Sequence, residues 1–241
     1  MIKKKGIIIS FEGIDGSGKT TQIECLKQYL IRKGFSVEII ENTRISKKIM
    51  QILCDPELKE ICPKTELLLH SALRAQDFQE YVSPVLNSGK IIIFNRFLDA
   101  SFAYQGYGRG LDLKAIEWLN MFTVGRIKPD LTILLDLPPS EAFKRLEKSR
   151  EKLDRIEKEE LEFHNRVRKG YLEIAKKEPK RIKVIDATKS INEIQEEIKK
   201  IIEEYLNENK RRDVRTSLIK TLIESLKSLS LILRLRIYAR R

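Results

Sequence analysis

Gly13-Ile14-Asp15-Gly16-Ser17-Gly18-Lys19-Thr20 fits the pattern G-x-x-x-x-G-K-[ST] at every position. Each residue type there answers a physical demand. Glycines let backbone amides turn inward around phosphate oxygens, an approach that side chains would block. Lys19 brings a positive charge to the β- and γ-oxygens, and the Thr20 hydroxyl is a ligand for Mg2+. The helix that starts at this point aims its positive end at the anion. Just ahead stands Gly6-Ile7-Ile8-Ile9-Ser10-Phe11, an apolar run of strand type that ends in Glu12. Strand, glycine loop and helix together define a triphosphate-binding loop made of Gly13, Asp15, Gly16, Ser17, Gly18, Lys19, Thr20 and Thr21. The loop alone does not separate a kinase from a GTPase or a motor. A GTPase would show an N-K-x-D guanine motif, which the sequence lacks, and 241 residues is short for a motor.

Working outward, four more short apolar runs alternate with long helical patterns. They are Val37–Ile40, Ile91–Phe94, Leu131–Asp136 and Arg181–Asp186. None shows clean polar alternation, which suits strands covered on both faces. A helical stretch over 64–87, ended by Gly89, leads into the third run. Five alternations of strand and helix predict an α/β fold: a five-stranded, doubly wound parallel sheet with flanking helices and with ligands at the carboxyl ends of the strands.

Composition narrows the classes further. With 41% hydrophobic residues the chain can build a full core, and no run of about 18 apolar residues exists to span a membrane. Three scattered cysteines, Cys25, Cys54 and Cys62, suit neither a disulfide framework nor a zinc cluster, and reduced thiols fit a cytoplasmic setting. The net charge of +12 is uneven, with +8 in residues 210–241 and +4 in the rest. A whole-protein nucleic-acid binder is therefore not the first reading. Residues 210–241 read as a separate basic, amphipathic helical extension, in which Leu218, Leu222, Leu226, Leu229, Leu233 and Ile237 recur at spacings of three or four. Such a tail can dock on the body or between subunits, or bind nucleic acid or an anionic surface by charge. A shorter amphipathic helix is expected over Asn192–Asn207.

Beyond the phosphate loop, the sequence carries Arg74 in Ala-Leu-Arg-Ala-Gln, Asn95-Arg96 followed by Ala103-Tyr-Gln-Gly106, Pro129-Asp-Leu-Thr and Leu135-Asp136-Leu137, Asp154-Arg-Ile-Glu157, and Phe163-His-Asn-Arg-Val-Arg-Lys-Gly-Tyr171. In this order, over about residues 5–205, the chain resembles the thymidylate kinase family of the nucleoside monophosphate kinases. The resemblance implies a P-loop kinase domain over 1–209 with a lid at about 144–157, and transfer of the γ-phosphoryl group of ATP to dTMP with Mg2+. It also implies a homodimer.

The resemblance carries over residue by residue. Lys19 serves the ATP phosphates. Arg96, at a strand end, holds the acceptor phosphate, and Arg44 stands where a second acceptor-phosphate arginine is expected. This phosphate loop contains no arginine, so a mobile cation must come from the lid, where Arg145, Arg150 and Arg155 stand. Arg150 is the first choice and Arg155 the second. Asp15 is expected on the sugar 3′-hydroxyl. His70, where the family has a stacking aromatic, and Arg74, four residues on, share a helix face toward the base. Ser101 and Gln105 are polar readers of a neutral base edge. Thr20, with Glu157 as a further candidate, would face Mg2+.

Three positions depart from the family pattern. Asn95 replaces an aspartate, Thr43-Arg44-Ile45-Ser46-Lys47-Lys48 replaces Thr-Arg-Glu-Pro-Gly-Gly, and His70 replaces the aromatic. Other readings consistent with these changes are a kinase for another nucleoside monophosphate, or a weakly active nucleotide-binding paralogue whose basic tail binds a partner.

Overall fold

Ile7, Ile8 and Ile9 are β-branched and suit a pleat covered on both sides. In the computed structural model, which describes residues 6–40, 42–149, 153–209 and 211, they open strand β1, Ile7–Glu12. Four further strands follow: β2 (Val37–Ile39), β3 (Ile91–Asn95), β4 (Leu131–Asp136) and β5 (Ile182–Asp186). Their order across the sheet is β2-β3-β1-β4-β5 and every pairing is parallel, as the alternation predicts. Ile9, Phe11, Ile92, Ile93 and Ile133 retain no accessible surface. Helices on both faces account for that, and for strands that read as continuous apolar runs.

β1 and β3 are neighbours, yet one feeds the chain toward β2 and the other toward β4. Such a reversal opens a crevice above their carboxyl ends. The register fixes what meets there. Phe11 lies opposite Asn95, so the loop after β1 and the residues after β3 emerge side by side.

The helices up to β5 are α1 (Lys19–Arg32), α2 (Arg44–Cys54), α3 (Pro63–Asp77), α4 (Ser83–Asn87), α5 (Leu98–Ser101), α6 (Leu113–Val124), α7 (Pro139–Ser149) and α8 (Leu161–Lys177) among the described residues. The stretch expected as one helix over 64–87 is α3, a π-helical turn at Phe78–Val82, and α4. Pro84 explains the widening: it cannot donate to the preceding turn and its ring crowds the carbonyl four residues back. The Ser83 amide reaches back five residues, to Phe78 O. A second π-helical segment, Phe102–Gly108, continues α5.

The chain divides into two compact units, Met1–Glu197 and Ile198–Arg241. Residues 191–209 are helical, which covers the helix expected at Asn192–Asn207. The amphipathic stretch 213–238 lies outside the described residues. No helix among the described residues is long and apolar enough to cross a membrane. All three cysteines are free thiols.

Candidate active site

The loop after β1 is held open by its own backbone. Gly13, Gly16 and Gly18 have φ of 132°, 78° and 92°, where side chains are strained. At Gly13 a Cβ would come within 2.5 Å of Leu135 O, and at Gly16 within 2.8 Å of Ala142 O on α7. The glycines are thus demanded by close approach as well as by φ. Gly18 is the N-cap of α1 and contributes no side chain to it, so no side chain caps that end against an anion. Lys19 is buried, its Nζ donating to Gly13 O at 3.1 Å and Ile14 O at 2.9 Å, which spans the loop from within. Ser17 Oγ is buried without a hydrogen-bond partner among the described residues. A glycine cradle, a pinned lysine and an orphaned hydroxyl are a donor set that fits a polyphosphate.

Across the crevice stands Arg96. It has φ of 71°, the only positive value at a non-glycine residue among those described. That conformation costs on the order of 1–3 kcal/mol and persists only if its surroundings impose it. Two hydrogen bonds do so: the Arg96 amide donates to Phe11 O (2.9 Å) and the Phe97 amide to Glu12 Oε1 (2.7 Å). Glu12 is fully buried and also accepts from Ser10 Oγ and Tyr171 Oη. Burial, then the charge of Asp99, push its pKa upward, against the three hydrogen bonds that lower it. The strain turns the Arg96 guanidinium back over the phosphate loop. It pairs with Asp15 Oδ2 (3.0 Å) and donates to Gly13 O (3.1 Å) and Tyr104 Oη (2.8 Å). Although burial opposes it, the Asp15 carboxylate holds the Arg96 pKa well above its ordinary value, and burial keeps the Tyr104 phenol protonated.

From Arg96 a cavity of about 560 Å³ runs between α3 and the α5 segment. Asp15, His70, Arg74, Arg96, Ser101 and Gln105 all line it. Arg74 is buried, its guanidinium donating to Phe97 O (3.3 Å) and Ser101 Oγ (2.7 Å), with Nε unpartnered among the described residues. Burial pulls its pKa down to about 10, so it stays charged at neutral pH. Burial also pulls His70 down to about 4, so its imidazole is neutral there. Gln105 donates its amide nitrogen to Glu66 Oε1 (2.9 Å), which leaves the amide oxygen as acceptor for a base N–H.

A phosphate cradle is thus joined to a polar-edged slot by one strained arginine. A sequence model described as thymidylate kinase matches residues 11–198. The chain belongs to the thymidylate kinase family. It is 40% identical over 205 residues to the thymidylate kinase of Thermoanaerobacter sp. (strain X514), covering 84% of this chain and all of that one. It is 46% identical over 197 residues to that of Kosmotoga olearia, covering 80% and 94%. The crystal structure of thymidylate kinase from Ehrlichia chaffeensis superposes with a TM-score of 0.65 at 32% identity, covering 83% of this chain and 99% of that one.

Against the thymidylate kinase pattern, several cations sit differently than the motifs suggest. Arg44 is exposed on the first turn of α2 and does not line the cleft. Thr43 caps that helix by accepting from the Ser46 amide, and Ser46 Oγ anchors it to Leu73 O. Lys47, one turn on, is the cation of this segment that lines the cavity. The doubled lysine one turn past a threonine cap is the signal that could have found it. Arg155 is buried, pairing with Glu66 Oε2 at 2.8 Å and donating to Leu53 O, so in this conformation it is a structural tie and not a mobile cation. Arg145 donates to Ala187 O. Arg150 lies outside the described residues. Glu157 is buried at the cavity wall and accepts from the Asp154 amide. No group of three or more His, Cys, Asp or Glu that could hold a metal exists among the described residues. Asn95 Nδ2 reaches Thr20 Oγ1 at 3.4 Å, so the replaced aspartate position does border the hydroxyl expected to face Mg2+. Tyr104 and Glu12, the supports of Arg96, stand inside quoted motifs, but only their geometry gives them roles.

Proposed function

We propose that this cleft transfers the γ-phosphoryl group of ATP to dTMP. The observation that carries the reading is Arg96: one guanidinium touches the phosphate loop and heads a slot lined by Arg74, Ser101 and Gln105. Phosphoryl transfer asks little covalent chemistry of the protein and much positioning and positive charge. The acceptor phosphate has a second pKa near 6, so it is mostly dianionic at neutral pH and needs no general base. The chief obstacle is repulsion between two anions. Lys19 offsets the charge of the donor, and Arg96 that of the acceptor when it exchanges Asp15 for the incoming phosphate. The released Asp15 carboxylate is then free for a sugar hydroxyl. Arg74 and the Ser101 hydroxyl donate to the carbonyl oxygens of the base, and the Gln105 amide oxygen accepts its N–H. Mg2+, held with the phosphates by the Thr20 hydroxyl, would supply further charge neutralisation.

The test is ADP release with dTMP, dUMP, UMP, CMP, AMP and GMP in parallel. Turnover strongest with dTMP supports the reading, comparable rates with UMP replace it by another nucleoside monophosphate kinase, and no turnover with any of the six ends it. We assign the lid cation to Arg150. Arg150→Ala should lower kcat far more than ATP affinity, and an unchanged kcat removes the assignment. A homodimer is the proposed assembly, supported by exposed Trp118 and Phe122, whose rings stack at 5.3 Å on α6. Sedimentation of Phe122→Asp against the parent chain tests it. If residues 210–241 bind nucleic acid, affinity should collapse between 50 and 200 mM salt, and a chain ending at Asn209 should lose it.

A further inference from the structure

A second cavity, of about 450 Å³, lies at the other end of the sheet. Its wall includes Pro129, just before β4, and Arg181, just before β5, so it opens at the amino ends of the strands. Its body is apolar and partly aromatic: Phe102, Tyr107, Leu113, Met121, Ile127 and Ile174. Asn120 lines it too, is 5% exposed, and has its Oδ1 without a hydrogen-bond partner among the described residues.

The charges around this cavity are not balanced. Asp99 and Glu178 are both taken by Arg181, at 2.7 Å each. Lys128 pairs only loosely with Glu178, at 3.6 Å. Lys114, Arg126 and Lys177 are exposed lining residues with no ion pair among the described residues, and Glu117 is the one lining carboxylate left to face them. Volume, aromatic walls and a cationic rim describe a ligand: a small aromatic anion.

The cavity also shares a wall with the catalytic cleft. Leu98, Asp99 and Phe102 line the second cavity, whereas Ser101, Tyr104 and Gln105 line the first. These are opposite faces of the one helical stretch that runs from α5 into its π-helical continuation. We propose that the second cavity is a ligand site for a small aromatic anion, and that its occupancy alters acceptor affinity through residues 98–108. Any movement of Phe102 is passed along that stretch to Tyr104 and Gln105, so the two sites share a coupling free energy, which is reciprocal.

The probe is 1-anilinonaphthalene-8-sulfonate, an aryl anion, titrated into the full chain by fluorescence and calorimetry. The double variant Lys114→Glu, Lys177→Glu should weaken it by about tenfold or more. Ile174→Trp, which fills the cavity, should abolish binding. Phe122→Ser, which removes the exposed ring pair of α6, should leave it unchanged. Full affinity in the rim variant, or loss of binding in Phe122→Ser, overturns the site. The rim lysines touch no phosphate-handling group, so the double variant keeps its turnover without probe. Saturating probe should shift the dTMP dissociation constant by about fivefold or more. An unmoved constant overturns the coupling. The coupling rests on the dTMP reading and the probe site does not. Probe binding in a chain that turns over no mononucleotide would therefore fault that reading and leave the site standing.

Discussion

The two ends of the catalytic cleft handle polarity in opposite ways. At the phosphate end, strong charges are lent to internal partners: Lys19 to two carbonyls, Arg96 to Asp15, a carbonyl and a phenol. Each of these bonds can be exchanged for a phosphate oxygen with little loss. At the base end the bonds are permanent. Arg74 is fixed by Phe97 O and Ser101, Gln105 by Glu66, and the remaining atoms face the slot in one orientation. Exchangeable charge suits a group that arrives ionised and leaves more so. Groups fixed in one orientation suit a base that must be told from its neighbours, because an unmatched buried polar atom is expensive.

The sharpest way to break this contrast is at Lys19. Lys19→Met should cut kcat by about 10³-fold or more, since it removes charge where the transition state needs it. A loss confined to ATP affinity would mean that Lys19 only binds. Next comes Arg96, where Arg96→Gly and Arg96→Ala should both weaken dTMP by about 100-fold in calorimetry. The glycine variant should nonetheless melt about 2–4 °C above the alanine variant, because it relieves about 1 kcal/mol of strain at φ 71°. Equal melting temperatures would deny the strain. A smaller effect is expected at Asn95. Asn95→Asp, beside Thr20, should lower the Mg2+ concentration for half-maximal rate by about fivefold through its added charge.

The base end gives the smallest change. His70→Phe should lower the KM for dTMP by about threefold through wider stacking, with kcat unchanged. The same variant tests a pH claim. The His70 pKa is about 4 in the fold, below its usual value of 6.5, so as pH falls the unfolded chain takes up this proton first. The stabilisation is complete above about pH 6.5 and is lost as pH falls toward 4. The acid side of the melting curve should therefore be flatter in His70→Phe. The acid limb of kcat/KM should stay near pH 6 in both proteins, because the acceptor phosphate sets it.

Local pattern carried most of the fold. β-branched runs, glycine stops and the phosphate motif identified five parallel strands, because strands covered on both faces announce themselves. What it could not carry was anything set by contact between distant segments. Pro84 is visible in the sequence, but that the chain would widen into a π-helical turn and continue is a packing outcome. Arg44 and Lys47 are equally basic in the sequence. Only the capping of α2 by Thr43, with Ser46 turned to Leu73, decides which of them meets the cleft. Arg155 read as a lid cation because its partner, Glu66, is 89 residues away in sequence. The positive φ of Arg96 has no sequence signal at all, since it is imposed by Phe11 and Glu12 across the sheet.

The π-helical turn at Phe102–Gly108 determines what kinds of change this wall can absorb. Such a turn stores one residue more than an α-helix of the same length. Deleting a single residue there would let the coil tighten to an α-helix, so the flanking segments would keep their facing while residues inside the turn would be re-aimed by up to about 100°. Tyr104 would leave Arg96 and Gln105 would leave Glu66, while the hydrophobic content barely altered. Swapping side chains along this wall is therefore a graded risk, whereas shortening it by one position derails the whole cleft at once.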